Sequence, residues 1–353
     1  MTSDRAHRTY GIDLLRGIAC AEVLFFHYLS RGPRAGWMPG ILDPRLEPVA
    51  RYGYLGVHLF FMVSGYVIFM SAEGRSAREF VASRVARLYP ALWAACTLTM
   101  LLVVFSGDQR FLVSWSDYAW NLTLVPQYVG ARFVDGAYWS LAVELQFYLM
   151  VWLVLRTSSM ARVELLLWAW LCIAMADALR PMYPAERWLI ANWAPLFSLG
   201  AVTYLASSRG WTRQRAALAA TAGALALWHS VKEAAHLAHE WNGDGPNPVV
   251  VALLLCVAAA SFMLFGLGTL RVRRTAWATV PGKLTYPVYL VHQFAGYLAY
   301  GWLVSETHAP RTTVGIVIML TVAVGWVIHR GIEQRFAPRL RRAIIGVGER
   351  KSA

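Results

Sequence analysis

The sequence predicts an all-α, polytopic integral membrane protein with about ten transmembrane helices and both termini in the cytoplasm. Three observations carry this. Hydrophobic residues make up 58% of the 353 residues and charged residues only 15%, against roughly 45–50% and about 25% in soluble globular proteins. The apolar residues fall in runs of about 17–20, the length that crosses ~30 Å of hydrocarbon at ~1.5 Å per residue. Lysine and arginine are distributed unevenly between the connecting segments, as the positive-inside rule requires of cytoplasmic loops. The composition excludes disordered, collagen-like and small disulfide-rich classes. The net charge of +13 is read as serving anionic lipid and topology, not nucleic acid.

Ten apolar segments follow in order: 12–29, 55–70, 88–105, 138–155, 163–179, 188–204, 216–231, 249–267, 284–303 and 313–328. The first follows a basic start but lacks a small-residue cleavage site behind it, so it is read as a retained helix. The seventh is the weakest, being alanine-rich with Gly223 inside. With the N-terminus in the cytoplasm, the inside segments hold 22 Lys and Arg residues and the outside segments 9. The first outer loop, with Arg31, Arg34, Arg45 and Arg51, fits this bias poorly. No internal repeat or long linker is visible. Residues 1–345 are read as a single transmembrane domain and 346–353 as a short cytoplasmic tail. Cys20, Cys96, Cys172 and Cys256 all lie in apolar runs without CxxC spacing. They point to neither a disulfide framework nor a metal site.

Ionisable groups in hydrocarbon cost at least ~2.5–3.5 kcal/mol on insertion scales, which makes them functional candidates. The first segment carries Asp13, Arg16, Glu22 and His27. Arg16 and His27 are eleven residues apart, three turns plus about 20°, so they share a face ~16 Å apart along the axis. A lipid-facing Arg and a hydrogen-bonded structural His would satisfy the same pattern. Arg84 and Arg87, three apart at the start of the third helix, can reach one anion together beside a helix N-terminus; topology alone would also place arginines here. Ser140 and Glu144 lie one turn apart at the head of the fourth segment, at the depth of His27. A carboxylate there could orient the imidazole, or the pair could hold two helices together. The ninth segment brings Thr285, Tyr286, Pro287 and His292, with His292 expected near mid-membrane. Ser64 and Gly65 are read as a close helix approach. His58 is read as interfacial, and Lys232, His236, His239 and Glu240 as a solvated loop face.

Taken together, these stretches resemble the membrane acyltransferase 3 family of bacterial O-acyltransferases, in the form without a fused esterase-like domain. The resemblance rests on Gly11-Ile12-Asp13-Leu14-Leu15-Arg16-Gly17 followed by His27, on Gly53-Tyr54-Leu55-Gly56-Val57-His58 through Ser64-Gly65-Tyr66, and on Arg84…Arg87 with Tyr89-Pro90. It also rests on Tyr138-Trp139-Ser140-Leu141-Ala142-Val143-Glu144 and on Tyr286-Pro287-Val288-Tyr289-Leu290-Val291-His292. Any one motif is weak; five in order along the chain are specific.

The resemblance implies an O-acyltransferase in the bacterial inner membrane, an O-acetyltransferase in the first instance. It would move an acyl group from cytoplasmic acyl-CoA, above all acetyl-CoA, to a hydroxyl of a cell-surface or lipid-linked glycan, which is polysaccharide modification. His27 is implied as the catalytic base. Arg84 and Arg87 are implied as contacts of the CoA phosphates, with Arg16 along the donor's path. Glu144 would orient His27 or the acceptor, and Asp13, Ser140, Tyr286 and His292 are further candidates. Acyl-CoA enters as co-substrate, with no bound cofactor, no metal and no nucleic-acid partner; membrane lipids surround the chain. Acylation of a small-molecule hydroxyl of the macrolide type, a glycan or lipid transporter or flippase, and a silent membrane scaffold stay open. A transporter predicts inverted repeats and broken helices at matched positions, which the sequence does not display.

Overall fold

A computed structural model describes residues 2–157, 159–272 and 276–349. These are helical with no strand among them. The principal helices are α1 (Thr2–Phe26), α2 (Leu55–Ala72), α3 (Ala77–Ser106), α4 (Trp115–Asn121), α5 (Tyr138–Arg156), α6 (Val163–Leu179) and α7 (Tyr183–Leu189). They continue with α8 (Ala194–Arg209), α9 (Arg213–Glu240), α10 (Pro248–Gly266), α11 (Ala276–Val291), α12 (Phe294–Thr307), α13 (Pro310–Ile328) and α14 (Gln334–Glu349). The tail expected at 346–353 is helical to Glu349 and beyond it lies outside the described residues, as do Arg273, Arg274, Arg350 and Lys351 of the inside cations.

Eight of the apolar segments correspond to one helix each: α1, α2, α3, α5, α6, α9, α10 and α13. The other two are broken. Segment 188–204 is shared by α7 and α8, which meet at a 43° bend where Ile190 takes a left-handed backbone (φ 44°) and Pro195 opens α8. Segment 284–303, expected as one helix, is α11 and α12 separated at His292–Gln293. Two π-helical turns, His27–Arg31 and His329–Glu333, continue α1 and α13, and each opens on a histidine. Such turns occur frequently at functional sites.

Among the described residues, five helical stretches are long and apolar enough to cross a membrane, or six if the bent α7–α8 pair is one span. The shortfall against ten has local causes. α1 carries Asp13, Arg16 and Glu22, α6 has 17 residues, and the break leaves α11 and α12 with 16 and 14. Val249, Leu253 and Val257 of α10 are exposed, an apolar outer face that suits lipid.

The chain divides into two compact units woven from separate segments. One comprises Met1–Glu22, Tyr54–Ala77 and Gln146–Gly282. Its centre is the approach of α2 to α8. A Cβ on Gly65 would lie 2.2 Å from the Phe197 carbonyl oxygen, and one on Gly200 would lie 2.1 Å from that of Met62. Only glycine lets the two backbones come this close, which is the packing role expected of Gly65. Phe147 stacks on Phe197 beside them, ring centroids 4.4 Å apart.

The other unit comprises Val23–Gly53, Arg78–Leu145 and Lys283–Ala353. Tyr28, Met38, Phe111, Tyr297 and Tyr300 form its aromatic core. The 32–53 loop is tied by Glu47, buried at 3% exposure, which accepts from Ser30 at 3.0 Å, Arg34 at 2.8 Å and Arg51. Asp43 takes Arg311 at 2.6 Å. The arginines that fitted the charge bias poorly are therefore largely matched to buried carboxylates.

Candidate active site

The site forms where α11 stops. A helix end leaves backbone carbonyls without partners, and buried ones must be satisfied. Here side chains do it. Tyr138 donates to the Leu290 carbonyl at 3.1 Å, and Tyr28 to the His292 carbonyl at 2.5 Å. The His292 ring takes the Tyr289 carbonyl at 2.6 Å. On the far side of the break, Asp135 accepts the Phe294 N–H that opens α12 at 2.8 Å and the Ala137 N–H at 2.9 Å. Asp135 is fully enclosed, and burial pushes its carboxyl up to about 7 against those two donors. Gly296 is required beside this joint, since a Cβ there would lie 2.2 Å from the Tyr28 hydroxyl.

This scaffold sets two imidazoles against each other. His292 Nε2 lies 3.1 Å from His27 Nδ1, with ring centroids 4.8 Å apart. Their proton positions follow from the hydrogen-bond network. The Tyr289 carbonyl can only accept, so His292 Nδ1 carries a proton and, in the neutral ring, Nε2 carries the lone pair. His27 Nδ1 faces that lone pair and also the Val23 carbonyl at 2.9 Å. Both neighbours accept, so His27 Nδ1 is the donor and its Nε2 keeps the lone pair. His292 is completely buried while His27 is half-buried. The result is one sheltered imidazole that fixes the tautomer of a second, more open one, the arrangement a general base needs.

The remaining predicted residues of this unit fall into two groups. Ser140 bonds the Tyr289 hydroxyl at 2.7 Å and the Ala137 carbonyl at 3.1 Å, one step from the carbonyl that holds His292. Glu144, half-buried on α5, is not among the partners of His27, which are His292 and Val23. On α3, Arg84 donates to the Ser83 hydroxyl at 3.0 Å and lies over the Phe80 ring. Arg87 turns to the buried Glu333 carboxylate and lies 5.2 Å from the centre of the Tyr286 ring, whose hydroxyl donates to Leu88 at 2.8 Å. Glu333 also bonds His329 at 2.7 Å across the second π turn. Arg84 and Arg87 are half-buried neighbours with different surroundings. A guanidinium has five N–H donors, so one carboxylate leaves Arg87 with capacity for an anion.

Asp13 and Arg16 belong to the other unit, on the helix that leads into His27. Arg16 Nη1 is 4.0 Å from the Asp13 carboxylate. Asp13 lies against Gly282, where a Cβ would come within 2.3 Å of its carboxyl.

Sequence reasoning missed Asp135, Tyr28, Glu333 and His329. Asp135 stands three residues before the Tyr138-Trp139-Ser140 motif, in a loop whose burial no periodicity reveals. Glu333 and His329 follow the last apolar segment, where charge is expected for topology alone. Among the described residues no group of three or more His, Cys, Asp or Glu side chains could hold a metal.

An all-helical chain with several membrane-length helices and a tautomer-locked histidine at a helix break is the architecture of a membrane-embedded transfer site. The chain belongs to the acyltransferase 3 family: the family model, described as an acyltransferase domain, matches residues 9–330. It is 30% identical over 168 residues to BcsY of Komagataeibacter xylinus, named as a membrane-bound transacylase, a match covering 42% of this chain and 37% of that protein. It is 29% identical over 163 residues to the O-acetyltransferase OatA of Staphylococcus aureus, covering 41% of this chain and 24% of OatA. Nodulation protein 10 of Rhizobium leguminosarum bv. viciae is 24% identical over 338 residues, 84% of this chain and 86% of that protein. The matched stretch thus spans about a third of BcsY and a quarter of OatA. No solved structure matches the chain.

Proposed function

We propose that this protein is an integral membrane O-acyltransferase that moves an acyl group, acetyl in the first instance, from cytoplasmic acyl-CoA to a hydroxyl of a cell-surface or lipid-linked glycan. The single observation that carries the chemistry is the His27–His292 pair, which leaves His27 Nε2 as a base. His27 Nε2 takes the proton of the acceptor hydroxyl as its oxygen attacks the thioester carbonyl. The carbon–sulfur bond breaks, and the CoA thiolate recovers the proton from the imidazolium. Arg84 and Arg87 hold the CoA phosphates, with Arg16 along the donor's path. Ser140 and Tyr286 brace the α11 end, Asp13 steadies Arg16, and Glu144 orients the acceptor rather than His27.

Family membership and the names of BcsY and OatA support acyl transfer over transport. The absence of broken helices no longer weighs against a transporter, since breaks occur at 190–193 and 292–293; the family match carries the choice. The chain crosses the bacterial inner membrane ten times with both termini in the cytoplasm, a reading supported by the 22-to-9 cation bias. The test is thioester turnover: purified protein with acetyl-CoA releases free thiol when a glycan acceptor is supplied, and His27→Ala does not. Thiol release that persists in His27→Ala would remove this mechanism.

A further inference from the structure

The unit that lacks His27 holds a second imidazole–carboxylate pair that the proposed chemistry does not use. His58 sits in the first turn of α2 and is 1% exposed. Its Nε2 lies 3.1 Å from the Glu233 carboxylate on α9. A carboxylate accepts, so Nε2 carries the proton and Nδ1 the lone pair. That Nδ1 is buried and meets no donor. The bend between α7 and α8 brings Trp193 to the His58 ring, centroids 5.5 Å apart. Next to it in the chain, the Asn192 side-chain oxygen is also buried without a partner. Tyr54 closes another side of the imidazole at 5.7 Å.

Two buried acceptors without donors are unusual. More than about 90% of buried polar groups are satisfied in native folds, and each orphan costs about 1–3 kcal/mol. They lie at a bend whose residue Ile190 holds a left-handed backbone, and backbone strain of this kind clusters at ligand sites. The pair of orphans asks for a ligand that brings hydrogen-bond donors. The surrounding Tyr54, Trp193 and Phe61 rings ask for one that also carries an apolar face.

We infer that His58 Nδ1 and Asn192 Oδ1, walled by Trp193 and Tyr54, form a second binding site that takes the hydroxyl groups of a sugar ring. The site stands apart from the His27 chemistry. It binds a carbohydrate whether or not acyl transfer occurs.

The test uses the full chain in lipid nanodiscs with 15N-labelled histidine and no acyl donor. Methyl β-glucoside and N-acetylglucosamine serve as probes, with ethanolamine as the ammonium control. The His58 resonance is the one lost in His58→Gln. A sugar probe should shift it saturably while leaving His27 unmoved. Asn192→Ala and Trp193→Phe should each weaken the sugar response roughly 2–10-fold, as one lost contact does; either variant serves if His58→Gln fails to fold. A His58 resonance unmoved by both sugars means that buried water satisfies these atoms, and it overturns the inference. A shift with ethanolamine alone overturns the sugar assignment. Failure of acyl transfer leaves either result intact.

Discussion

At His27 the chemistry reduces to which ring nitrogen holds the proton. The Tyr289 carbonyl settles this for His292, and His292 settles it for His27. Replacing His27 by Ala should lower acyl transfer by roughly 10²–10⁴-fold, the contribution of a positioned base, with normal membrane insertion on fractionation. His292→Ala should be milder, a loss of about 2–10-fold for one hydrogen bond. It should appear in kcat with KM for acyl-CoA unchanged, and His292→Gln should recover part of it by returning an acceptor. A His292→Ala variant with unaltered kcat would separate the two rings functionally. At the other end, the double variant Arg84→Ala/Arg87→Ala should raise KM for acyl-CoA roughly 10–100-fold, since a charge-assisted contact is worth about 1.5–3 kcal/mol. Unchanged acyl-CoA affinity in a binding titration would reduce the pair to a topology signal.

The break between α11 and α12 is where sequence and structure part. The motif from Tyr286 to His292 was legible as a candidate, as were His27, Arg84 and Arg87, because polar residues stand out against apolar runs. The break was not, because Val291, His292, Gln293 and Phe294 contain neither proline nor glycine and continue the apolar character. It exists because Tyr28, Tyr138 and Asp135, remote in sequence, capture the backbone groups that a continuous helix would pair internally. Glu144 shows the converse. Its depth and face were read reasonably, yet the partner of His27 came from the ninth segment, and no helical spacing could choose between them. Asp135 gives the joint a pH dependence. Its carboxyl titrates at about 7 when folded and near the ordinary 3.9 when unfolded. The folded state therefore binds the proton more tightly, and stability falls as pH rises between those values. Asp135→Asn, an isosteric neutral side chain, should flatten that slope. Thermal melts between pH 5 and pH 8 should show the wild type losing more than the variant, and parallel curves would refute the assignment.

At the scale of the whole molecule, the helical class and the family were readable from composition, run length and five ordered motifs. The interleaving of two compact units was not, since each draws on segments far apart in the chain. Cysteine accessibility can test the orientation. With both termini inside, cysteines placed at Ser76 and Ser208 should react with a membrane-impermeant thiol reagent only after the cells are opened. One at Gly107 should react in intact cells. Labelling in the reverse pattern would invert the topology.

The Glu47 clasp bears on how such a chain is inserted in the first place. Arg34 and Arg51 lie only 13 and 4 residues from the carboxylate they share, so the closing loops are short and cost little entropy. The segment can neutralise itself soon after it leaves the ribosome, before the translocation machinery has to choose a side for it. An arginine-rich outer loop is then no contradiction, because what the translocon meets is closer to a folded knot of matched charge than to free cations. Glu47→Gln would unmask two guanidinium groups on the wrong side of the bilayer. A reporter fused to this loop should then reveal a fraction of chains inserted upside down, and a population as uniform as the wild type would show that the clasp forms too late to matter.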